Sequence, residues 1–196
     1  RRLVITTGAR PAVPSIRGIE TVDYLTSTSA LSLAVLPKSL LAIGGGYIGA
    51  ELAQMFARMG VKVTIVCRSH LLPAAEPEIA EALSGYLRDE GVQLVCGVTY
   101  RQVRRTDTGI SLTVTRDGRD EALTAERILI ATGRSPNVEG LGLADAGVAQ
   151  DSKGNICVDD QMRTTRAGVY AAGDVIGRDQ FVYMAAYGAK LAAKNA

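Results

Sequence analysis

Histidine is nearly missing from this sequence: His70 is the only one. That excludes a catalytic or metal centre built on several histidines, and His70 reads as a surface-loop residue. Cysteine is scarce too. Cys67, Cys96 and Cys157 form neither a CxxC pair nor a metal-ligand spacing. No metal site is expected, each cysteine reads as a buried small apolar residue, and a reducing, cytoplasmic setting is the simplest inference. No apolar run approaches the roughly 18 residues that span a bilayer, so no membrane partner is expected. The opening Arg1-Arg2-Leu3-Val4-Ile5 is too short for a signal peptide. An excess of one charge is lacking as well: the formal net charge is +2, which gives no electrostatic case for nucleic acid. The densest basic cluster, Arg101, Arg104 and Arg105, reads as a solvated strand edge.

What is present is a globular composition, 47% hydrophobic and 21% charged. A strand is expected over residues 2–7, and Pro11 and Pro14 forbid regular structure after it. A short helical piece is expected at 27–33, then a buried strand at 40–43. Three glycines follow, and residues 47–59 show helical spacing of Ile48, Leu52, Met55, Phe56 and Met59. Gly60 stands where a left-handed helix end is usual, and a β-branched strand is expected at 61–66. Residues 76–90 read as a helix with Ile79, Leu83 and Leu87 on its apolar face, followed by a strand at 92–95. Alternation over 98–123 predicts an antiparallel meander. Short strands are expected at 127–131, 155–158 and 168–172, and a helix at 182–196. The fold class is α/β: a Rossmann-like parallel sheet with helices and an antiparallel β-meander insert.

Gly44-Gly45-Gly46-Tyr47-Ile48-Gly49 fits G-x-G-x-x-G. Gly44 permits a tight turn, Gly46 lets backbone approach a pyrophosphate, and Gly49 allows the helix to pack on the strand. The pyrophosphate sits at the positive helix N-terminus. The strand before and the βαβ context distinguish this from a plain turn. An acidic residue at the end of the next strand would hold a ribose and repel a 2′-phosphate. Here Cys67 stands in that position and Arg68 follows; a guanidinium pairs with phosphate bidentately. NADPH is therefore the expected nicotinamide dinucleotide, the other reading of Arg68 being an exposed arginine without a ligand. With Ala74 in place of a second arginine, discrimination is expected to be modest.

With this turn, Arg68, Ala131-Thr132-Gly133-Arg134 and Ala172-Gly173-Asp174 in order, the chain resembles the flavin-dependent pyridine nucleotide–disulfide oxidoreductases over essentially its whole length. The resemblance implies a nicotinamide domain inserted into an FAD domain. Residues 1–36 would end a first FAD segment and connect onward, 37–152 would bind NAD(P), and 153–196 would begin a second FAD segment. It further implies that Thr7, Gly8 and Asp174 contact FAD and that Gly133 contacts the nucleotide by its backbone. Tyr47 would gate the nicotinamide pocket and Glu51 would lie near the carboxamide. Read from residues alone, Asp174 is equally a turn cap, Tyr47 a packing aromatic and Glu51 a solvated helix residue.

Residues 23–28 and 180–187 resemble the mercuric reductase branch of that family, in which hydride passes from NADPH to FAD and on through a cysteine pair to Hg(II), giving Hg(0). The family's FAD-binding glycine turn, its CxxxxC pair and its dimerisation domain find no match here. The chain is accordingly expected to be a piece of a longer flavoprotein, a homodimer when whole, with no catalytic residue of its own and no activity alone. Two other readings stand beside this: the same domain of a dihydrolipoamide dehydrogenase-like or other disulfide reductase, and a non-catalytic nucleotide-sensing module.

Overall fold

The computed structural model describes residues 2–196. In chain order, β1 (Leu3–Ile5), β2 (Ala9–Pro11) and β3 (Tyr24–Leu25) precede a short helix, α1 (Ser27–Leu31). Thr26 caps α1 through reciprocal bonds with Ser29. Then come β4 (Ser39–Ile43), α2 (Tyr47–Arg58), β5 (Lys62–Cys67), α3 (Pro77–Asp89) and β6 (Gln93–Cys96). The meander strands β7 (Thr99–Thr106), β8 (Gly109–Arg116) and β9 (Arg119–Ala125) lead to β10 (Arg127–Ile130), β11 (Arg134–Pro136), β12 (Val169–Ala171) and α4 (Val182–Asn195).

These elements form two compact units, Pro11–Gly133 and a two-segment unit of residues up to Arg10 with Arg134–Ala196. In the central unit, five parallel strands lie in the order β3-β10-β4-β5-β6. Both faces of this sheet are covered, so the middle strands are apolar throughout rather than alternating. Leu40, Ala42, Val63 and Ile65 point to the side packed by Ala53 and Phe56 of α2 and Leu87 of α3. Leu41, Ile43, Val66, Ile128 and Ile130 point to the other side, where Val103, Leu112 and Val114 of the meander seal it. The antiparallel β7-β8-β9 sheet thus takes the place of the helices that usually cover the second face of a doubly wound sheet.

The two-segment unit pairs β1 with β12 in parallel. Its core gathers Ile5, Leu143, Val148, Ile156, Ala171 and Val175, with Tyr170, Ala172 and Ala192 in a second cluster. The expected strand at 155–158 is not formed; Ile156 makes a single bridge to Gln150. On the helices, the expected apolar faces are displaced at their edges. Met59 is exposed because it is the residue that ends α2, and Ile79 is exposed while Ala80 takes the inward position on α3. Of the cysteines only Cys67 is buried, Cys96 and Cys157 being half-buried. Arg101, Arg104 and Arg105 are exposed on β7, as a solvated edge. Among the described residues, no helix is long and apolar enough to cross a membrane.

The compact units divide at 10/11 and 133/134; the family resemblance implies functional borders at 36/37 and 152/153. The connector joins the central unit because Ile16, Ile19 and Val22 bury against the meander and β3 extends the parallel sheet.

Candidate functional site

At the carboxyl ends of β4, β5 and β10 lies a cleft of about 230 Å³. Gly44, Gly45 and Gly46 form one side, Cys67, Arg68 and Ser69 another, and Ala131, Thr132 and Gly133 a third, with His70, Pro73 and Tyr100 completing the wall. This is where a doubly wound sheet opens a crevice: β5 continues the sheet to one side of β4 and β10 to the other.

The glycines divide their work unevenly. Gly44 has φ of +119°, and a Cβ there would stand 2.1 Å from the Ala131 carbonyl oxygen. A Cβ on Gly49 would meet the Gly44 oxygen at 2.3 Å, so this glycine lets α2 settle on the end of β4. Gly45 is hemmed in by the chain itself, with the His70 oxygen at 2.9 Å and Cys67 beneath. Only Gly46 faces open space, with nothing within 4 Å of its notional Cβ. Gly46 is also the residue before α2; no side chain caps that helix, and its first turn holds no acidic residue. The initial N–H groups of a helix lack intrahelical acceptors, so an uncapped, carboxylate-free N-terminus beside open space suits a diphosphate.

Arg68 is exposed and forms no hydrogen bond or ion pair with any described residue. Neighbouring Cys67 is uncharged where a carboxylate would repel phosphate. Tyr100 reaches in from β7, donates from its hydroxyl to the Val66 carbonyl at 3.0 Å, and has its phenol pKa raised, first by burial and then by Cys67. Thr132 donates to the Ala12 carbonyl at 2.7 Å, and the Gly133 carbonyl accepts from Ala12 at 2.9 Å. Gly133 is thus fixed with φ of +113° and no neighbour where a Cβ would go.

The cleft gathers Gly44, Gly45, Gly46, Arg68 and Gly133; it does not include Tyr47, Ile48, Gly49 or Glu51. Tyr47 is half exposed at the start of α2, and Glu51 is exposed one turn later. Thr7, Gly8 and Asp174 all belong to the two-segment unit. There Thr7 donates to the Asn137 carbonyl at 2.6 Å, and Asn137 returns bonds to the Gly8 and Thr7 carbonyls. Asp174 begins a short 3-10 turn, with its Oδ2 3.2 Å from Nε of Arg134. Sequence reasoning passed over Ser69, Pro73 and Tyr100 as site residues and set His70 aside as a plain loop residue. The first two could have been reached by extending the reading past Arg68, but Tyr100 comes from another sheet and leaves no local trace. No group of three or more His, Cys, Asp or Glu residues among the described ones could hold a metal.

Comparison with known proteins agrees with this architecture. The chain is 45% identical over 197 aligned residues to a mercuric reductase from Staphylococcus aureus, all of this chain matching 36% of that one. It therefore spans about a third of that relative's length. A Cu(II) complex of the HOCl-induced flavoprotein disulfide reductase RclA from Escherichia coli superposes with a TM-score of 0.88 at 34% identity, over 98% of this chain and 43% of that one. An engineered water-forming NADPH oxidase bound to NADPH superposes with a TM-score of 0.78 at 28% identity, over 89% and 39%. The model of the pyridine nucleotide-disulphide oxidoreductases matches residues 1–192, and the chain belongs to that family.

Proposed function

We propose that the central unit binds NADPH and serves as the nucleotide-binding part of a flavin-dependent mercuric reductase. The observation that carries this reading is the cleft itself: open space beside Gly46 at an uncapped helix N-terminus, with Arg68, which forms no hydrogen bond or ion pair with any described residue, in the same wall. Backbone N–H groups at the start of α2 would hold the pyrophosphate, Arg68 would pair with the 2′-phosphate, and Gly133 would present its backbone to the nucleotide. Tyr47 and Glu51, at the exposed start of α2, would position the nicotinamide end. When bound, the dinucleotide supplies a hydride for a flavin, towards which Thr7, Gly8 and Asp174 would contribute part of a site.

The engineered NADPH oxidase carries three consecutive replacements, aspartate by alanine, alanine by arginine and methionine by serine. The present chain reads Cys67-Arg68-Ser69 after its β5 core, an uncharged residue followed by the same Arg-Ser pair. That parallel supports NADPH. The mercury assignment rests on the chain's likeness to mercuric reductases, with electrons passing from flavin through a CxxxxC pair that this sequence does not contain. Assembly of the whole protein as a cytoplasmic homodimer belongs to the same proposal. A second reading, another disulfide as acceptor, is favoured by the close superposition on RclA, a disulfide reductase.

Calorimetric titration of the chain with NADPH and NADH tests the central claim. Tighter NADPH binding is expected, and tighter NADH binding would remove the case for Arg68.

A further inference from the structure

Cys67 and Cys96 end two adjacent strands, and they are direct partners in the parallel register of β5 with β6. Such partners have Cα atoms ~4.8 Å apart, inside the range of about 4.4–6.8 Å that a disulfide bridges. Their side chains lie on one face, with the Cys67 S–H donating to the Cys96 sulfur at 3.0 Å. Both are free thiols, the first buried and the second half-buried. Cys67 also lines the cleft, its Sγ 3.2 Å from where a Gly45 Cβ would be. In the nucleotide reading Cys67 enters only as an uncharged residue and Cys96 not at all, and their spacing is nothing like a CxxxxC pair.

We propose that Cys67 and Cys96 are a peroxide-oxidised dithiol, closing to a reversible disulfide in the wall of the cleft. Cys96 is the attacking sulfur and Cys67 the resolving one. The Cys96 thiolate attacks one oxygen of hydrogen peroxide and breaks the O–O bond, becoming the sulfenic acid and releasing hydroxide. Cys67 sulfur then attacks the Cys96 sulfur; the hydroxyl leaves with the Cys67 proton as water. Overall the two thiols are oxidised by two electrons and peroxide is reduced to water.

The roles follow from the two environments. The hydrogen bond from Cys67 lowers the Cys96 thiol to about 7 against the opposing effect of burial, with electrostatic contributions from Arg88, His70 and Arg116 in the same direction. The Cys67 thiol is held up by that same bond, by burial and by the neighbouring Cys96. A low-pKa, partly accessible thiol beside a buried resolving thiol is the arrangement that oxidises selectively.

The test is a peptide map of the chain after brief exposure to dilute hydrogen peroxide, alkylation of remaining thiols and trypsin digestion. Two of the three thiols should be lost, and Val63–Arg68 should appear joined to Asp89–Arg101, lighter by two hydrogens and separated by dithiothreitol. Cys157→Ser should keep the link, while Cys67→Ser and Cys96→Ser should abolish it. Sulfinic acid on Cys96 without a link, a link through Cys157, or three thiols still free would each overturn the proposal. Repeating the oxidation with saturating NADPH separates this claim from the nucleotide one. Linking slowed several-fold agrees with both, whereas linking at an unchanged rate leaves the dithiol standing and removes the nucleotide from that wall.

Discussion

Arg68 stands directly after β5, where the chain leaves the sheet, so its side chain is exposed at the cleft without crossing the core. No described carboxylate neutralises it. A guanidinium in that state gains most from a ligand bearing two negative charges on one group. Charged hydrogen bonds contribute about 1.5–3 kcal/mol, which corresponds to roughly ten- to hundredfold in affinity. Arg68→Ala should therefore weaken NADPH by about that factor and leave NADH nearly unchanged, as read by calorimetry; equal losses would take Arg68 out of phosphate binding. Arg68→Lys should fall between, since an ammonium keeps the charge but loses the planar fork. Arg68 and the glycines were legible because each acts through its own backbone position or its own charge. Tyr100 was not. Its place in the wall is created by the packing of β7 on the sheet, and its hydroxyl is satisfied by Val66, far away in sequence. The Cys67–Cys96 contact was hidden for the same reason, since strand register and not spacing sets those sulfurs side by side.

At the scale of elements, the β4–turn–α2 unit separates folding from binding. Gly44 is required by the fold: a side chain would meet both a positive φ and a carbonyl oxygen 2.1 Å away. Gly44→Ala should cost about 3 kcal/mol or more, measured by denaturant titration. Gly46 has φ of −81° and open space around it, so Gly46→Ala should leave stability within about 1 kcal/mol. It should nonetheless weaken NADPH, because the methyl group would occupy the space assigned to the diphosphate. If Gly46→Ala binds NADPH as tightly as the unaltered chain, the phosphate does not lie there. The βαβ unit was legible because apolar strands, glycines and a 3.6-residue period all point to one answer. Helix edges were less so: Ile79 is the more apolar of two apolar neighbours, and only the packing of α3 decides that Ala80 faces inward instead. The strand expected at 155–158 failed because Ile156 buries beside Ile5, Ala171 and Val175 with only a single bridge to Gln150, and Val158 packs there half-buried.

At the scale of the molecule, the meander does more than fill an insertion. Leu112, fully buried on β8, joins the cluster that closes the second sheet face. Leu112→Ala should cost about 2–5 kcal/mol through lost burial and the cavity left behind. That Ile16 and Ile19 bury with the meander was not legible, since nothing local in the sequence tells it.

The two units also differ in readiness for a ligand. The central unit offers an arginine without a hydrogen bond or ion pair among the described residues and an uncapped helix end, whereas in the other the Thr7 hydroxyl already donates to Asn137 and Asp174 already pairs with Arg134. A ligand that binds only the folded state stabilises it by about 2.7 kcal/mol at a hundredfold excess over its Kd. NADPH at that excess should therefore raise the melting temperature of the chain by several degrees. FAD at the same concentration should leave it unchanged, because its candidate contacts are occupied by protein partners. An equal rise with FAD would mean that Thr7 and Asp174 release those partners, or that the cleft by Gly46 accepts any dinucleotide. Adding Gly46→Ala, which fills the space assigned to a diphosphate, tells these apart: a rise that survives for FAD lies in the two-segment unit, and one that disappears lies in the cleft.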